Sequence, residues 1–265
     1  MSARMNAAAW DTRIARAKEL AGQYPAAAQL LEFYARVGEF QKGLYKEVSQ
    51  RTAADPAQSL RSQLQVELIL PFFRELLGLV EEYGPGQLEE ASRELAATGE
   101  NKCREVLMDH IAGRPGDACL DFFARASVQP YAEHLASALM PAGVSAARLC
   151  PLCSGKPQLG VLRPEGEGAK RSLVCSFCLA EWEFRRMLCS VCGEESESNL
   201  PFYRAEEFPH LRVECCESCR HYLKSVDLAT NGRAVPLVDE IAAAPLDLWA
   251  RDHGYKRIVA NLLGL

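Results

Sequence analysis

Apolar residues recur every three or four positions through the first half of the chain, which is the spacing of amphipathic helices. One such run contains Leu30, Tyr34, Val37, Leu44 and Val48, and a second begins after Pro56 and continues to Val80. Pro71 lies inside the second run and is expected to kink or divide that helix. Further helices are predicted over residues 87–97, 101–112 and 117–139. Such stripes normally form a core, so we expect residues 1–147 to be an all-helical domain.

The pattern changes near residue 150, where short apolar segments alternate with turn-rich links. Segments with the length and composition of strands are 158–163, 171–174 and 211–213. A glycine-rich stretch over 164–168 is typical of a turn, and residues 237–253 predict a helix interrupted near Pro245. The expected fold class is therefore α+β, with helices first, metal-binding β modules next and a short helical segment last.

The composition is that of a globular chain and excludes several function classes. Of the 265 residues, 48% are hydrophobic and 25% are charged, and the net charge is -5. No run approaches ~18 consecutive apolar residues, so we expect no membrane insertion. Eleven cysteines without a secretory signal favour metal thiolates in a reducing compartment, so we expect a cytoplasmic protein.

Nine of the eleven cysteines lie between residues 150 and 219. Eight of them form four C-x-x-C pairs, or knuckles, which are Cys150/Cys153, Cys175/Cys178, Cys189/Cys192 and Cys216/Cys219. Two thiolates at this spacing can bind one tetrahedral ion, and two knuckles complete a four-cysteine site. One such pair is weak evidence, whereas four within 70 residues predict two metal sites.

The links between the knuckles indicate which pairs share an ion. Residues 179–188 alternate in polarity and contain no turn former, so they predict a strand that keeps its two ends ~30 Å apart. The longer links, 154–174 and 193–215, contain glycine and proline and can fold back. This favours site one, made of Cys150, Cys153, Cys175 and Cys178, and site two, made of Cys189, Cys192, Cys216 and Cys219. An interleaved pairing of the first knuckle with the third and the second with the fourth stays open.

Other cysteines and histidines of the chain have ordinary explanations. His210 and His221 lie near site two, but four cysteines already complete that site, so we expect both histidines at the surface. Cys215 is the odd thiol of the region, and we expect it to be buried and off the metal, like Cys103 and Cys119 on the helices. Tetrahedral thiolate suits zinc and iron, and the residues alone favour zinc for a structural site.

The chemistry of the sequence argues for binding rather than catalysis. A four-thiolate site has no open position for water or substrate, which argues against metal-assisted hydrolysis. Phosphate-binding loops, nucleophile elbows and zinc-protease motifs are absent from the sequence, so we predict no catalytic and no cofactor-binding residues. Residues 148–224 balance eleven basic side chains against eleven acidic ones, which leaves little drive for nucleic-acid binding. The favoured function is a protein-binding scaffold that metal holds rigid.

Longer strings around the knuckles are specific when they are taken together. They are Cys150-Pro-Leu-Cys153, Cys175-Ser-Phe-Cys178 followed by Glu181-Trp182, Arg186-Met-Leu-Cys189-Ser-Val-Cys192-Gly193, the run from Arg212 to Lys224 with its doubled cysteine, Pro245-Leu-Asp247-Leu-Trp249, and Gly254-Tyr255. Over roughly residues 148–265, this set resembles the FdhE family of formate dehydrogenase accessory proteins. One departure is Ser154-Gly155 after the first knuckle, where glycine is expected directly.

The resemblance implies a cytoplasmic assembly factor that binds the catalytic subunit of formate dehydrogenase before export by the twin-arginine route, and not the dehydrogenase itself. It implies two rubredoxin-like four-cysteine modules over residues 148–188 and 189–225, and a strand and helix tail over 226–265 that packs on them. It shifts the expected metal toward iron without excluding zinc. The alternatives are a zinc-ribbon nucleic-acid-binding protein and a small rubredoxin-like electron carrier.

Overall fold

The computed structural model describes residues 7–114, 116–139, 147–166 and 168–265. Its first part consists of helices α1 Ala7–Gln23, α2 Ala28–Arg51, α3 Val66–Tyr83, α4 Gly86–Thr98, α5 Glu100–Ile111 and α6 Ala118–Leu139. Helix α6 is central, since fourteen of its residues are buried and they are not confined to one stripe. The amphipathic helices α2, α3, α4 and α5 surround it and turn their polar sides to solvent.

Helix α3 continues through Pro71, so this residue does not divide the helix, and the expected kink stays a prediction. Pro71 is the sixth residue of the helix, and its ring removes only the hydrogen bond that would reach the carbonyl of Glu67. Buried Ile69 and Phe73 flank the proline and are both fully enclosed in the core. Their packing outweighs the loss of one backbone hydrogen bond.

The second part is built around one sheet. Its strands are β1 Pro157–Glu165, β2 Gly168–Cys175, β3 Glu181–Glu183, β4 Phe202–Tyr203, β5 Leu211–Cys215, β6 His221–Asp227 and β7 Lys256–Arg257. Among the described residues the strand order is β3-β2-β1-β6-β5-β4, with β7 pairing with β6. Helices α7 Pro236–Ala242 and α8 Ala244–Asp252 follow β6, and the interruption expected near Pro245 falls at the junction between them.

The two halves of the sheet join through a parallel pairing of β1 with β6, in which Gly160 lies opposite Ser225. A side chain at Gly160 would collide with the Ser225 hydroxyl, so glycine permits this close approach. The expected strand over 179–188 is wrong in extent, because only Glu181–Glu183 is extended and Leu179 turns with φ 56°. Long-range strand pairing, rather than a straight linker, connects the two ribbons.

Apolar packing runs from the helices into the first ribbon without interruption. One core cluster contains helical residues together with all four thiols of site one and Phe177. A second cluster joins β1 and β2 of the first ribbon to β5, β6 and α8. Buried ion pairs add polar ties, since Arg16 of α1 reaches Asp239 of α7 at 2.6 Å. The helical part and site one therefore share one hydrophobic core, and a second core lies within the sheet region.

The expected α+β class is confirmed: a helical region precedes a β-rich region with two four-cysteine clusters and a C-terminal helical segment. The division into four parts at residues 147, 188 and 225 stays a prediction. The observed sheet crosses the proposed boundary between the two modules. No helix within the described ranges is both long enough and apolar enough to span a bilayer.

Candidate metal centres

Site one brings together the four thiols of the first two knuckles. Cys150 Sγ lies 3.6 Å from Cys178 Sγ, and Cys153 Sγ lies 3.4 Å from Cys175 Sγ and 3.5 Å from Cys178 Sγ. All four cysteines are buried. The sulfurs therefore converge on one point from two chain segments.

Site two repeats this arrangement with the third and fourth knuckles. The sulfurs of Cys189 and Cys219 are 3.7 Å apart, and those of Cys192 and Cys216 are 3.6 Å apart. Here Cys192 is exposed and Cys219 is half-buried. The second site differs from the first in its access to water.

The separations match the edges of a small tetrahedron of sulfurs. Zinc–thiolate bonds of ~2.3 Å at tetrahedral angles place their sulfurs about 3.8 Å apart. Within each cluster all four Sγ atoms lie within 4.8 Å of one another. The donor set, four sulfurs without oxygen or nitrogen, suits zinc or iron. Both groups of four could therefore hold a metal ion, and the observed grouping pairs the knuckles as the link lengths favour.

Each knuckle turns in the same unusual way after its second cysteine. The next residue has a positive φ, which is 58° at Ser154, 56° at Leu179, 83° at Gly193 and 56° at Arg220. Ser154, Leu179 and Arg220 are the non-glycine residues with positive φ in the described part of the chain. A side chain in this conformation costs about 1–2 kcal/mol, so the turn is imposed by its surroundings. At the first knuckle, Ser154 takes the conformation for which glycine was expected.

Backbone hydrogen bonds explain why this turn forms. The first cysteine of each knuckle donates its amide to the carbonyl five residues later, with N–O distances of 2.8 Å for Cys150, 2.9 Å for Cys175, 2.9 Å for Cys189 and 2.9 Å for Cys216. The left-handed residue reverses the chain so that this bond can close. The knuckle loop then folds around its sulfurs, and backbone amides of the loop point toward them.

Hydrogen bonds to sulfur favour the thiolate form that a metal requires. The Phe177 amide donates to Cys175 Sγ at 3.3 Å, and the Val191 amide donates to Cys189 Sγ at 3.4 Å. Burial alone would raise the pKa of Cys189, but the amides of Cys192 and Val191 bring that pKa below its ordinary value. In site one the four thiols affect one another's pKa values. Hydrogen bonds from Cys153 and the other two thiols lower the pKa of Cys150, whereas burial raises the pKa of Cys175 and hydrogen bonds with the other three thiols raise the pKa of Cys178.

Three parts of the helical region hold site one through the second knuckle. The Phe177 ring lies between the Arg61 guanidinium, 3.8 Å from the ring centre, and the His110 ring, with centroids 5.4 Å apart. The Ser176 carbonyl accepts hydrogen bonds from Arg125 Nε at 3.1 Å and Gln129 Nε2 at 2.9 Å, both on α6. The site is thus fixed from the side opposite its own ribbon.

Site two is held by polar contacts within its own loops. Glu194, which follows the third knuckle, accepts hydrogen bonds from the Ser218 hydroxyl of the fourth knuckle and from the Asn199 amide. Glu217 accepts hydrogen bonds from Arg220 and from the Tyr255 hydroxyl. The Glu194–Ser218 contact connects the two knuckles at the surface, where hydrogen bonds compete with water.

Family models and a solved structure show which known proteins this chain is similar to. Residues 149–186 match the family model described as "FdhE, central domain", and residues 187–263 match "FdhE, C-terminal domain". The crystal structure of the FdhE protein from Pseudomonas aeruginosa superimposes with a TM-score of 0.75 at 26% identity, over 98% of this chain and 97% of that one. Residues 149–263 are therefore similar to the two FdhE domains, and the whole chain has the fold of an FdhE protein. The resemblance seen in the knuckle strings is therefore confirmed.

Relatives in the FdhE family cover the chain to different extents. A "Protein FdhE homolog" from Aquifex aeolicus is 27% identical over 257 residues, or 91% of this chain and 90% of the relative. One from Pseudomonas putida is 36% identical over 132 residues, which is 47% of this chain and 40% of the relative. Similarity is therefore higher over a shorter aligned part, whereas the structural match includes the helical part.

The three other cysteines and the two histidines near site two lie outside both clusters. Cys215 is buried in the second core cluster, and burial raises its pKa to about 12, so it behaves as a core residue. Cys103 is buried, whereas Cys119 is only half-buried. His221 Nδ1 donates to the Cys219 carbonyl at 2.8 Å, which orients the ring without ligation. His210 is buried against Asp239 at 3.0 Å, so its expected surface position is wrong.

The sequence analysis did not predict a buried network of charged side chains, because charged residues are normally expected at the surface. Lys224 is fully buried in β6 and contacts Asp247 at 2.5 Å and Glu240 at 2.9 Å, and Arg257 contacts the same two carboxylates. Burial alone would raise the pKa of Glu240, but the charges of Arg257 and Lys224 hold it at about 2. The alternation of β6 gives no signal of this network, since lysine there predicts a solvent-facing position.

Proposed function

We propose that this chain is a cytoplasmic accessory protein that binds the catalytic subunit of formate dehydrogenase during maturation, before that subunit is exported by the twin-arginine route. Similarity to the FdhE domains and to an FdhE crystal structure supports the coarser part of this function, an accessory protein of formate dehydrogenase. The two four-cysteine clusters support the proposal that metal-stabilised ribbons form the part of the chain that binds the partner. The stage of maturation and the mode of binding belong to the proposal.

The observation that carries this function is the pair of complete four-sulfur clusters within an FdhE-like fold. Four thiolates fill a tetrahedral ion, so neither ion would offer a position for substrate or water. Such ions stabilise the shape of a surface rather than perform hydrolysis. The chain then acts by presenting a rigid surface to another protein, and we propose that it is not an enzyme.

Both clusters are proposed to hold iron or zinc through Cys150, Cys153, Cys175 and Cys178 in site one and Cys189, Cys192, Cys216 and Cys219 in site two. Sulfur separations of 3.4–3.7 Å accommodate either metal. Visible absorption of freshly purified protein distinguishes them, because iron thiolates are coloured and zinc thiolates are not. Elemental analysis should return about two ions per chain for eight thiolates in tetrahedral sites.

The decisive experiment compares two partners and two cysteine variants. We expect the purified chain to retain the catalytic subunit of formate dehydrogenase, and not duplex DNA, at physiological salt. Cys216→Ser should empty site two and weaken subunit binding, because folding of the ribbon depends on its metal. Cys119→Ser is the matched control, since Cys119 is half-buried on α6 and belongs to neither cluster. Full metal content with unchanged affinity in Cys216→Ser would refute the proposal.

Nucleic acid is the weaker candidate partner on grounds of charge. The ribbon region from 148 to 224 carries eleven basic and eleven acidic side chains. Many of these arginines already pair with carboxylates of the same region, such as Arg163 with Glu181 at 2.7 Å. Binding to phosphates would need free basic side chains along a continuous face.

A further inference from the structure

A cavity of about 100 Å³ lies between the two ribbons, next to site two. Its lining is shared by residues from both ribbons: Arg171 of β2, Arg186 and Met187 before the third knuckle, Phe202 of β4, and Arg212 and Glu214 of β5. Space of this size admits several water molecules or a small polar group. The cavity is open enough for a side chain of another molecule to enter.

The charges around this cavity do not balance. Glu214 receives two guanidiniums: Arg171 donates to Oε2 at 2.9 and 2.6 Å, and Arg212 donates to Oε1 at 2.9 and 2.5 Å. Both arginine side chains are less than 10% exposed, at 5% and 9%. One carboxylate thus pairs with two buried guanidiniums, so positive charge exceeds negative charge by one within this group of three side chains.

Arg186 adds a third guanidinium to the cavity wall. It is exposed, and it has no hydrogen-bond or ion-pair partner among the residues that the structure describes. Its neighbour Arg185, in contrast, pairs with Glu195 at 3.0 Å. A guanidinium that is unpaired beside an enclosed space is suited to a carboxylate, which it can bind through two parallel hydrogen bonds.

Apolar surface surrounds the free guanidinium. Met187 is 40% exposed and Phe202 is 55% exposed, and both contribute to the cavity wall. Large apolar side chains with this exposure beside a polar recess are typical of protein-binding surfaces. A free small anion would gain nothing from them, whereas a peptide segment would bury them.

The thiolates of site two also place negative charge beside this cavity. Cys189 and Cys216 also line the cavity, but within the described ranges none of the three guanidiniums hydrogen-bonds a sulfur. Cys189 Sγ instead accepts the Val191 amide, and the metal itself would offset part of the thiolate charge. The cavity therefore keeps donors that point to an external acceptor.

We propose that this cavity binds a carboxylate of a partner protein, carried by an acidic side chain that apolar residues flank. Arg186 holds the carboxylate, with the Arg171–Glu214–Arg212 group behind it, and Met187 and Phe202 contact the flanking apolar side chains. This rests on the proposed function, because the partner in question is the catalytic subunit of formate dehydrogenase. It assigns that partner's contact to the junction of the two ribbons.

The first test uses acetate and does not depend on the partner. Acetate is titrated into the metal-loaded chain while nuclear magnetic resonance follows the arginine side-chain N–H signals. Saturable shifts are expected at Arg186, Arg171 and Arg212, and they should be lost in Arg186→Glu. Arg233→Glu is the matched control, since Arg233 is exposed and lies outside the cavity. Absence of saturable shifts in the wild-type chain would overturn the inference.

The second test measures binding of the catalytic subunit to the same variants. Arg186→Glu should weaken binding about tenfold, since it places like charges in contact, and Arg233→Glu should leave it within about twofold. Acetate in excess should compete with the subunit. Metal content is measured in each variant, and both ions should remain, because Arg186 is not a member of either cluster.

The outcomes separate this inference from the proposed function. If the wild-type chain does not bind the subunit, the proposed function fails, and the acetate titration still decides whether the cavity takes a carboxylate. Normal subunit binding by Arg186→Glu overturns the inference and leaves the function intact. If acetate binds but does not compete with the subunit, the cavity binds free carboxylates. The inference that a segment of a partner protein occupies it is then wrong.

Discussion

Sites one and two are built from the same knuckle, yet they differ in what surrounds them. The thiols of site one are all buried, and they belong to the core that the helices form. In site two, Cys192 is exposed and Cys219 is half-buried, and polar loop contacts hold the knuckles together. The same four-cysteine arrangement is therefore found in two settings: site one lies in the core shared with the helices, and site two lies closer to the surface.

The largest expected effect comes from removing one ligand at each site in turn. Cys153→Ser should reduce the free energy of unfolding by more than about 4 kcal/mol, in the range associated with loss of a structural metal, because its site is part of the shared core. Cys192→Ser should release one ion but leave the helical melting transition nearly unchanged. Elemental analysis and thermal unfolding followed by circular dichroism measure both quantities. Equal losses of stability would contradict the contrast between the sites.

The second prediction compares residues at the same position of two knuckles. Phe177→Ala should cost about 3–5 kcal/mol, since this buried ring fills the space between Arg61 and His110. Val191→Ala, at the equivalent position of the third knuckle, should cost less than about 1 kcal/mol because that side chain is only half-buried. Denaturant titrations of the two variants give the values. A Phe177 variant as stable as the Val191 variant would show that the helices do not hold site one.

A smaller effect is expected at Gly155, beside the sulfurs of site one. A β-carbon there would lie 2.7 Å from Cys175 Sγ and 3.2 Å from Cys153 Sγ. Gly155→Ala should cost about 1–3 kcal/mol, as overpacking of a rigid site does, and should weaken metal binding at that site alone. Gly43→Ala is the control, because its β-carbon meets open space on α2 and should slightly stabilise the helix.

The smallest expected effect tests whether the left-handed residue of the knuckle turn is strained. Ser154→Gly should stabilise the protein by at most about 1 kcal/mol, because relief of the left-handed strain is partly offset by the larger entropy of glycine in the unfolded chain. Gly193→Ala tests the converse at site two and should destabilise by a similar amount. If both changes have no effect on denaturant midpoints, the turn is not strained.

The two groups of four cysteines could be predicted from the sequence because the signal for each knuckle is local. A C-x-x-C pair closes over a few residues, and glycine and proline in the long links permit the chain to return. The helices could be found for a similar reason, since their stripes lie within single segments. Where the reading failed, at residues 179–188, the alternation was real, but the turn at Leu179 and the pairing of Glu181–Glu183 with β2 ended the strand early.

What the sequence did not indicate depends on contacts between distant residues. The parallel pairing of Gly160 with Ser225 joins segments 65 residues apart, and no local pattern marks it. The same holds for Arg171 with Glu214, and for Lys224 with its two carboxylates. These charged side chains are buried, and each is stabilised by a partner that lies far away in the sequence.

The pairing of β1 with β6 also sets an order of events during synthesis. Site one is complete in sequence once Cys178 has left the ribosome, while the strand that extends its sheet, His221–Asp227, is still to be made. Since nascent chains fold from the N-terminus, the first ion can enter a half-finished sheet before the second ribbon exists. The later ribbon would then assemble on an edge that is already ordered, with β1 as its template.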